Sequence, residues 1–323
     1  MKNSILLQIK NKITFLDKIN KFLNWKLIET ALKSKIKQTF DATGNPSYPI
    51  LKMFKVILLQ NFFRLSDRDM EFNLFYNILF RKFSGFLYDY KTPSYATICR
   101  FRNRLFKLGL DRDLFYLINK ALRKNKLINN FGIAIDSSII PSSRRPRKVI
   151  DIKKNNFKIL YSKDSDANWF KKNKILYYGF KLHMSVDIYH GFITEGYITP
   201  ASYSDIGEFL KILNLNYEHL SSNSWVLVDK AYTSKKNREI LKLLGLEDGI
   251  MYKKTKNKKL SKFIRNLNKM ISKFRMSVER GFGTLKTNFS LFRSKYLGIK
   301  KSTGQFLLAA IAYNLKKASS LIF

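Results

Sequence analysis

The chain has 323 residues, 45% of them hydrophobic, and 61 Lys and Arg against 23 Asp and Glu, a formal net charge of +38. That apolar content can bury the cores of about two ordinary domains, which excludes a disordered basic tail, and the charge favours a polyanionic partner, because a basic surface attracts phosphate backbones and releases their counterions. Cys99 is the only cysteine, which rules out an internal disulfide and suits a reducing cytosol, and no apolar run nears the roughly 18 residues that span a bilayer.

AT-rich coding DNA would raise Lys, Asn, Ile and Phe together, but the same bias should raise Glu, which is scarce here. The opening MKNSILLQIKNK has no signal-type apolar core or small-residue cleavage site, so the expected location is cytoplasmic and nucleoid-associated, with no membrane partner.

Residues 1–125 are expected to form a helical N-terminal DNA-binding domain. Apolar positions recur at three and four, as in Ile13, Leu16, Ile19, Phe22 and Leu23, and again at Met53, Val56 and Ile57. Ser66 and Asp67 sit where an N-cap belongs, ahead of Phe72, Phe75 and Leu79. The pattern breaks at Lys91-Thr92-Pro93-Ser94; Ser94 or Thr97 then starts TICRFRNRLFKLG, which Gly109 would end. Arg100 and Arg104, four apart on one face of that helix, are either phosphate contacts or a solvated basic face.

From residue 126 onward the texture is that of a second domain, reaching to 323. FGIAIDSSII, ILYYGFKLHMSVDIYHG, FITEGYITPA, SWVLVDKAY and DGIMYK each predict a strand, the second and third forming a hairpin around Tyr189-His190-Gly191. Asp205 to Leu213 and Ser234 to Leu244 carry helical periodicity, the first capped by Ser204 or Asp205. A basic run, Lys253 to Lys273, leads into the helix that bears Glu279, and an apolar helix, Gln305 to Leu315, closes the chain. The order predicts a mixed sheet flanked by helices, an α+β or α/β class. Ser142 to Asn173 lacks regular periodicity and carries Arg144, Arg145, Arg147, Lys148, Lys153, Lys154, Lys163, Lys171 and Lys172. It is expected to be a long loop that contacts DNA.

Three carboxylates stand out in a chain so poor in acids. Ile133-Ala134-Ile135-Asp136 and Trp225-Val226-Leu227-Val228-Asp229 each place an aspartate at the end of a buried-type strand, where α/β sheets build their sites. Two such aspartates on neighbouring strands repel unless a cation neutralises them, and Mg²⁺ takes oxygen ligands in this way. On the later helix, Arg275 lies about 40° and Lys286 about 20° around the axis from Glu279, so all three face broadly one way. The ordinary alternative is a surface ion pair between Arg275 and Glu279. Gly281 and Gly283 weaken a helix interior, which is tolerable where the helix must approach a strand or DNA closely.

YGFKLH (Tyr178 to His183), VDKAY (Val228 to Tyr232) and the R-x3-E-R-x-FG-x-LK run from Arg275 to Lys286 together resemble DDE transposases of bacterial insertion sequences, in the grouping of insertion-sequence families four and five. The resemblance implies a ribonuclease H-like catalytic domain and a metal-binding triad of Asp136, Asp229 and Glu279, with Mg²⁺ as cofactor and Mn²⁺ able to substitute. It implies double-stranded DNA with terminal inverted repeats and target DNA as partners, and a homodimer in the DNA complex. By the same resemblance Arg275, Lys286 and Lys230 position phosphates, while Tyr232 stacks on a base or packs. The group often carries a tyrosine three residues before the arginine; here that residue is Ser272. Asp187 is a rival carboxylate with no metal role by resemblance, and His183 reads more as a core or supporting residue than as a base. A non-catalytic DNA-binding derivative, or a nuclease of the same fold, are the alternative functions.

Overall fold

The structure, a computed structural model, describes residues 13–36, 47–86, 91–153, 156–254 and 259–322; the side chains of 147–162 are outside that description. The opening MKNSILLQIKNK and the basic side chains of Arg147, Lys148, Lys153 and Lys154 therefore lie outside the described residues. The chain divides into two compact units, Met1–Lys124 with Leu308–Phe323, and Asn125–Leu307.

The first unit is helical, with α1 (Phe15–Phe22), α2 (Trp25–Lys35), α3 (Ile50–Phe63), α4 (Asp67–Tyr76), α5 (Ile78–Ser84), α6 (Tyr95–Leu108) and α7 (Leu110–Lys124). In α3 the residues Met53, Phe54, Val56, Ile57, Leu58 and Leu59 are all buried, so its apolar character on every side suits a central helix. Local chemistry sets the boundaries as expected. Ser66 and Asp69 form a reciprocal capping box at the start of α4, Ser94 accepts from the Thr97 amide at the start of α6, and Gly109 ends α6 at φ 69°. Arg102 of α6 is buried and gives Asp67 two bonds, of 2.6 and 2.7 Å.

The second unit is built on a mixed sheet. Its strands are β1 (Gly132–Pro141), β4 (Asn168–Lys172), β5 (Ile175–Asp187), β6 (Ile193–Pro200), β7 (Trp225–Val228) and β8 (Glu247–Ile250), in the order β4-β5-β1-β7-β8 with β6 also on β5. The sequential strands β1, β5 and β6 pair antiparallel, and β7 then pairs parallel with β1 and β8 with β7. This is the ribonuclease H-like arrangement that the resemblance implies. The segment 142–173, expected as an irregular loop, instead holds β2 (Arg147–Lys153) paired with β3 (Asn156–Ser162), and β4. Backbone pairing across a two-residue connection supplies the order that side-chain periodicity does not announce.

Helices cover both faces. On one, Ile133, Ile135, Val226, Val228 and Ile250 bury against Phe209, Ile212 and Leu213 of α8 (Asp205–Tyr217) and Leu241 of α9 (Lys235–Leu243). On the other, α10 (Lys262–Asn288) packs on β1, β5 and β7. A Cβ at Gly281 would come within 3.2 Å of Met184 and 3.6 Å of Val186, so this glycine is what lets α10 approach β5; Gly283 faces open space. The chain closes with α11 (Ile299–Leu321).

Candidate active site

The parallel pairing of β1 with β7 sets Ile135 against Val228, so the next residues, Asp136 and Asp229, stand side by side at the same edge. Strand alternation turns Asp136 and Ser138 towards the α10 face, with Ala134. From α10 the buried Arg275 reaches both aspartates: its Nη2 donates to Asp136 Oδ2 at 2.9 Å, and its Nη1 lies 3.7 Å from Asp229 Oδ1. Arg275 is only 4% exposed; its Nη1 also meets Met251 Sδ at 3.7 Å, and its Nε has no partner. The two carboxylates are held from their own chain as well, Asp136 Oδ1 by the Ser137 amide at 2.8 Å and Asp229 Oδ1 by the Lys230 amide at 2.7 Å. Burial pushes the Asp136 carboxyl up to about 6; Asp229 and Asp205 add to the rise, while Arg275 and the Ser137 amide oppose it.

Lys286, eleven residues along α10 from Arg275, donates to Ser138 Oγ at 2.6 Å, and burial, with Lys172 nearby, lowers its ammonium below the usual lysine range. Glu279 is exposed and lies between Arg275 and Lys286 on that helix. Among the described residues no three acidic, imidazole or thiol side chains come together closely enough to hold a metal ion. What joins Asp136 to Asp229 is the guanidinium. The donor set nevertheless fits a hard divalent cation: two carboxylates from adjacent strand ends, in a partly buried setting, whose mutual repulsion requires positive charge.

The other candidates separate. Lys230 is exposed in the one-turn 3₁₀ helix after β7. Tyr232, the last residue of that turn, is 1% exposed, its ring against Phe209; buried in the core, it packs and offers no face for a base to stack on. Arg144 and Arg145 are exposed just beyond Ser142 and Ser143, whose carbonyls are held by Arg293. Arg100 and Arg104 are exposed on α6 in the helical unit, Arg100 bonding to Thr97. His183 is buried, hydrogen-bonded to Thr199 and stacked on Tyr197; burial lowers it to about 4, so it is neutral near pH 7. Asp187 accepts from the amides of His190 and Phe192 and shapes the β5–β6 turn. Asp205, which periodicity marks only as a helix start, accepts from Ser137 Oγ at 2.7 Å and pairs with buried Lys181 at 3.2 Å. Its signal was available: β6 runs in the same direction as β1, so Asp205 is a third aspartate beyond the carboxyl end of a strand at this edge.

A two-aspartate edge bridged by a basic helix on a ribonuclease H-like sheet defines a class of phosphoryl-transfer enzymes, and comparison with known families names it. The family described as Transposase DDE domain matches residues 132–315, and Transposase domain (DUF772) matches residues 4–104. The chain belongs to the DDE transposases of bacterial insertion sequences, enzymes that use divalent metal. It is 33% identical over 227 residues to the transposase for insertion sequence element IS1106 of Neisseria meningitidis serogroup B, covering 68% of this chain and 77% of that one. Among solved structures, the piggyBac transposase synaptic complex with hairpin DNA gives a TM-score of 0.45 at 11% identity, covering 96% of this chain and 76% of that one. The Mos1 transposase paired-end complex with left transposon end gives 0.25 at 11% identity, covering 88% and 82%. Among the described residues no helix is long and apolar enough to cross a membrane.

Proposed function

We propose that this transposase cleaves double-stranded DNA at terminal inverted repeats and joins the freed 3′ ends to target DNA, with Asp136, Asp229 and Glu279 as the carboxylates that hold Mg²⁺, or Mn²⁺ in its place. The observation that carries this reading is the single buried arginine bridging two aspartates at adjacent strand ends, a place where concentrated negative charge is kept close to a cation. When bound, the metal would activate the attacking oxygen and stabilise the leaving one in an in-line displacement. Asp136 and Asp229 contribute fixed oxygen donors, each oriented by the backbone amide that follows it. Glu279, between Arg275 and Lys286 on α10, supplies the third carboxylate.

Arg275 neutralises the aspartate pair and carries a planar fork suited to phosphate. Lys286 and the exposed Lys230 add positive charge along the same edge. Arg144 and Arg145 extend a basic surface beyond β1, and Arg100 and Arg104 give the helical unit a phosphate-binding face. In this reading residues 1–125 bind the element's ends and residues 126–323 carry the chemistry, while two copies are needed because two ends must be brought together.

The test incubates the protein with DNA bearing the element's own terminal repeats, in Mg²⁺, Mn²⁺ or EDTA, and maps nicks at nucleotide resolution. Metal-dependent cuts at the repeat boundary followed by joining of the 3′ ends are expected. Binding without cuts under every metal condition would contradict the proposal.

A further inference from the structure

The face of β1 opposite Arg275 carries a second polar cluster. Strand alternation turns Ser137 away from Asp136, towards α8, where its hydroxyl donates to Asp205 Oδ1 at 2.7 Å. Asp205 is fixed in turn by Lys181 of β5, whose side chain is 5% exposed and whose Nζ lies 3.2 Å from the carboxylate and 2.6 Å from the Tyr203 carbonyl. The Lys181 ammonium also lies over the Phe170 ring, 4.6 Å from its centroid. Tyr232, with a buried hydroxyl that reaches no hydrogen-bond partner, is near enough to feel the charges of both Asp205 and Asp136.

A helix-opening aspartate ordinarily serves the helix, by favourable interaction with its dipole. Asp205 is turned elsewhere. Its carboxylate is engaged by Ser137 and Lys181, and Ser204, at the cap position, makes no side-chain cap bond. Ser137 thus does two things at once: its backbone amide holds Asp136 Oδ1 on one face, and its side chain is anchored to Asp205 on the other.

We infer that Asp205, acting through Ser137, is a positioning residue that sets the orientation of the Asp136 carboxylate towards its metal, with Lys181 balancing its charge. The inference rests on the proposed role of Asp136 as a metal ligand. Groups that orient a ligating carboxylate typically change metal affinity or activity by about 10–100-fold when removed, because catalytic groups must be held to within about 0.5 Å.

Mn²⁺ affinity of the full-length protein, followed by electron paramagnetic resonance together with thermal stability, tests it on Ser137→Ala, Ser137→Thr, Asp205→Ala and Asp136→Asn. Ser137→Ala and Asp205→Ala should each weaken Mn²⁺ binding about tenfold, and the double variant should be little worse than either, since the two residues act as one unit. Ser137→Thr, which keeps the hydroxyl on a strand-favouring residue, should restore binding. Where Asp205→Ala fails to fold, Ser137→Ala, which removes one oxygen atom, decides alone. Lowered thermal stability with Mn²⁺ affinity unchanged, while Asp136→Asn loses the metal, would overturn the inference and leave Asp136 as a ligand. Unchanged affinity in Asp136→Asn would overturn the ligand assignment itself, and the inference with it.

Discussion

Two buried arginines, one in each unit, are used in opposite ways. Arg102 is 6% exposed and spends its fork on a single carboxylate, with two bonds to Asp67 and a third to Gln60 at 3.0 Å. Arg275 is as deeply buried but is divided between Asp136 at 2.9 Å and Asp229 at 3.7 Å. A bidentate pair with its partner's oxygens satisfied is a fastening between helices. A guanidinium stretched between two carboxylates that crowd each other is a counter-charge, and a metal ion or a phosphate can exchange with it without unfolding anything.

Substitutions sharpen the contrast. The largest effect is expected at the counter-charged pair: Asp229→Ala should reduce strand cleavage by about a thousandfold or more, the several kcal/mol that metal-assisted charge stabilisation supplies. A gel-shift assay should show binding to the repeat ends nearly intact; full cleavage by this variant would dismiss the triad. Arg275→Lys replaces a fork by a point charge that cannot span both aspartates, and cleavage should fall about a hundredfold with little change in urea denaturation.

Arg102→Ala should show the reverse. It leaves Asp67 without its charge partner, and since Asp67 is itself partly solvated the loss should be about 2–3 kcal/mol of folding stability, read from the denaturation midpoint. If instead Arg102→Ala left stability untouched, the fastening role would be wrong.

His183 gives a smaller, pH-dependent effect. Its folded-state value, lowered by burial to about 4 against an ordinary 6.5, means that the unfolded chain binds the proton more readily between those values. Its contribution is therefore complete above about pH 6.5 and is lost as the pH falls towards 4, by no more than about 3 kcal/mol. Asp205 opposes the shift, and Lys181 and Lys211 add to it. His183→Gln should flatten that part of the stability profile; an unchanged slope would show that the imidazole is not buried neutral. The smallest effect separates the two helix glycines. Gly283→Ala, in open space, should stabilise by about 0.5–1 kcal/mol, whereas Gly281→Ala meets Met184 and should gain less or lose.

Much of this was legible in the sequence because it depends on strand ends. An aspartate closing a short apolar run must lie at the carboxyl edge of a sheet, so Asp136 and Asp229 could be paired from the chain alone, and the five sequence-predicted strands of the second unit all form. The helix boundaries at Ser66, Ser94 and Gly109 were equally plain, being decided by neighbours in the chain. What depends on approach between distant segments was hidden. Spacing within α10 leaves an Arg275–Glu279 surface pair open, and only the packing of that helix on β1 sends Arg275 to the aspartates. Tyr232 is three residues past Asp229, but a single 3₁₀ turn folds it back into the core. Asp205 lies 68 residues from Ser137, and nothing in its local pattern signals that bond.

The central claim is that Asp136, Asp229 and Glu279 converge on a divalent metal. Replacing that metal with Fe²⁺, generating hydroxyl radicals and mapping where the polypeptide is cut tests it most directly. Cuts should cluster beside Asp136 on β1, Asp229 after β7 and Glu279 on α10, and disappear with excess Mg²⁺. Cuts that spare these three segments, in a protein that still cleaves DNA, would contradict the account.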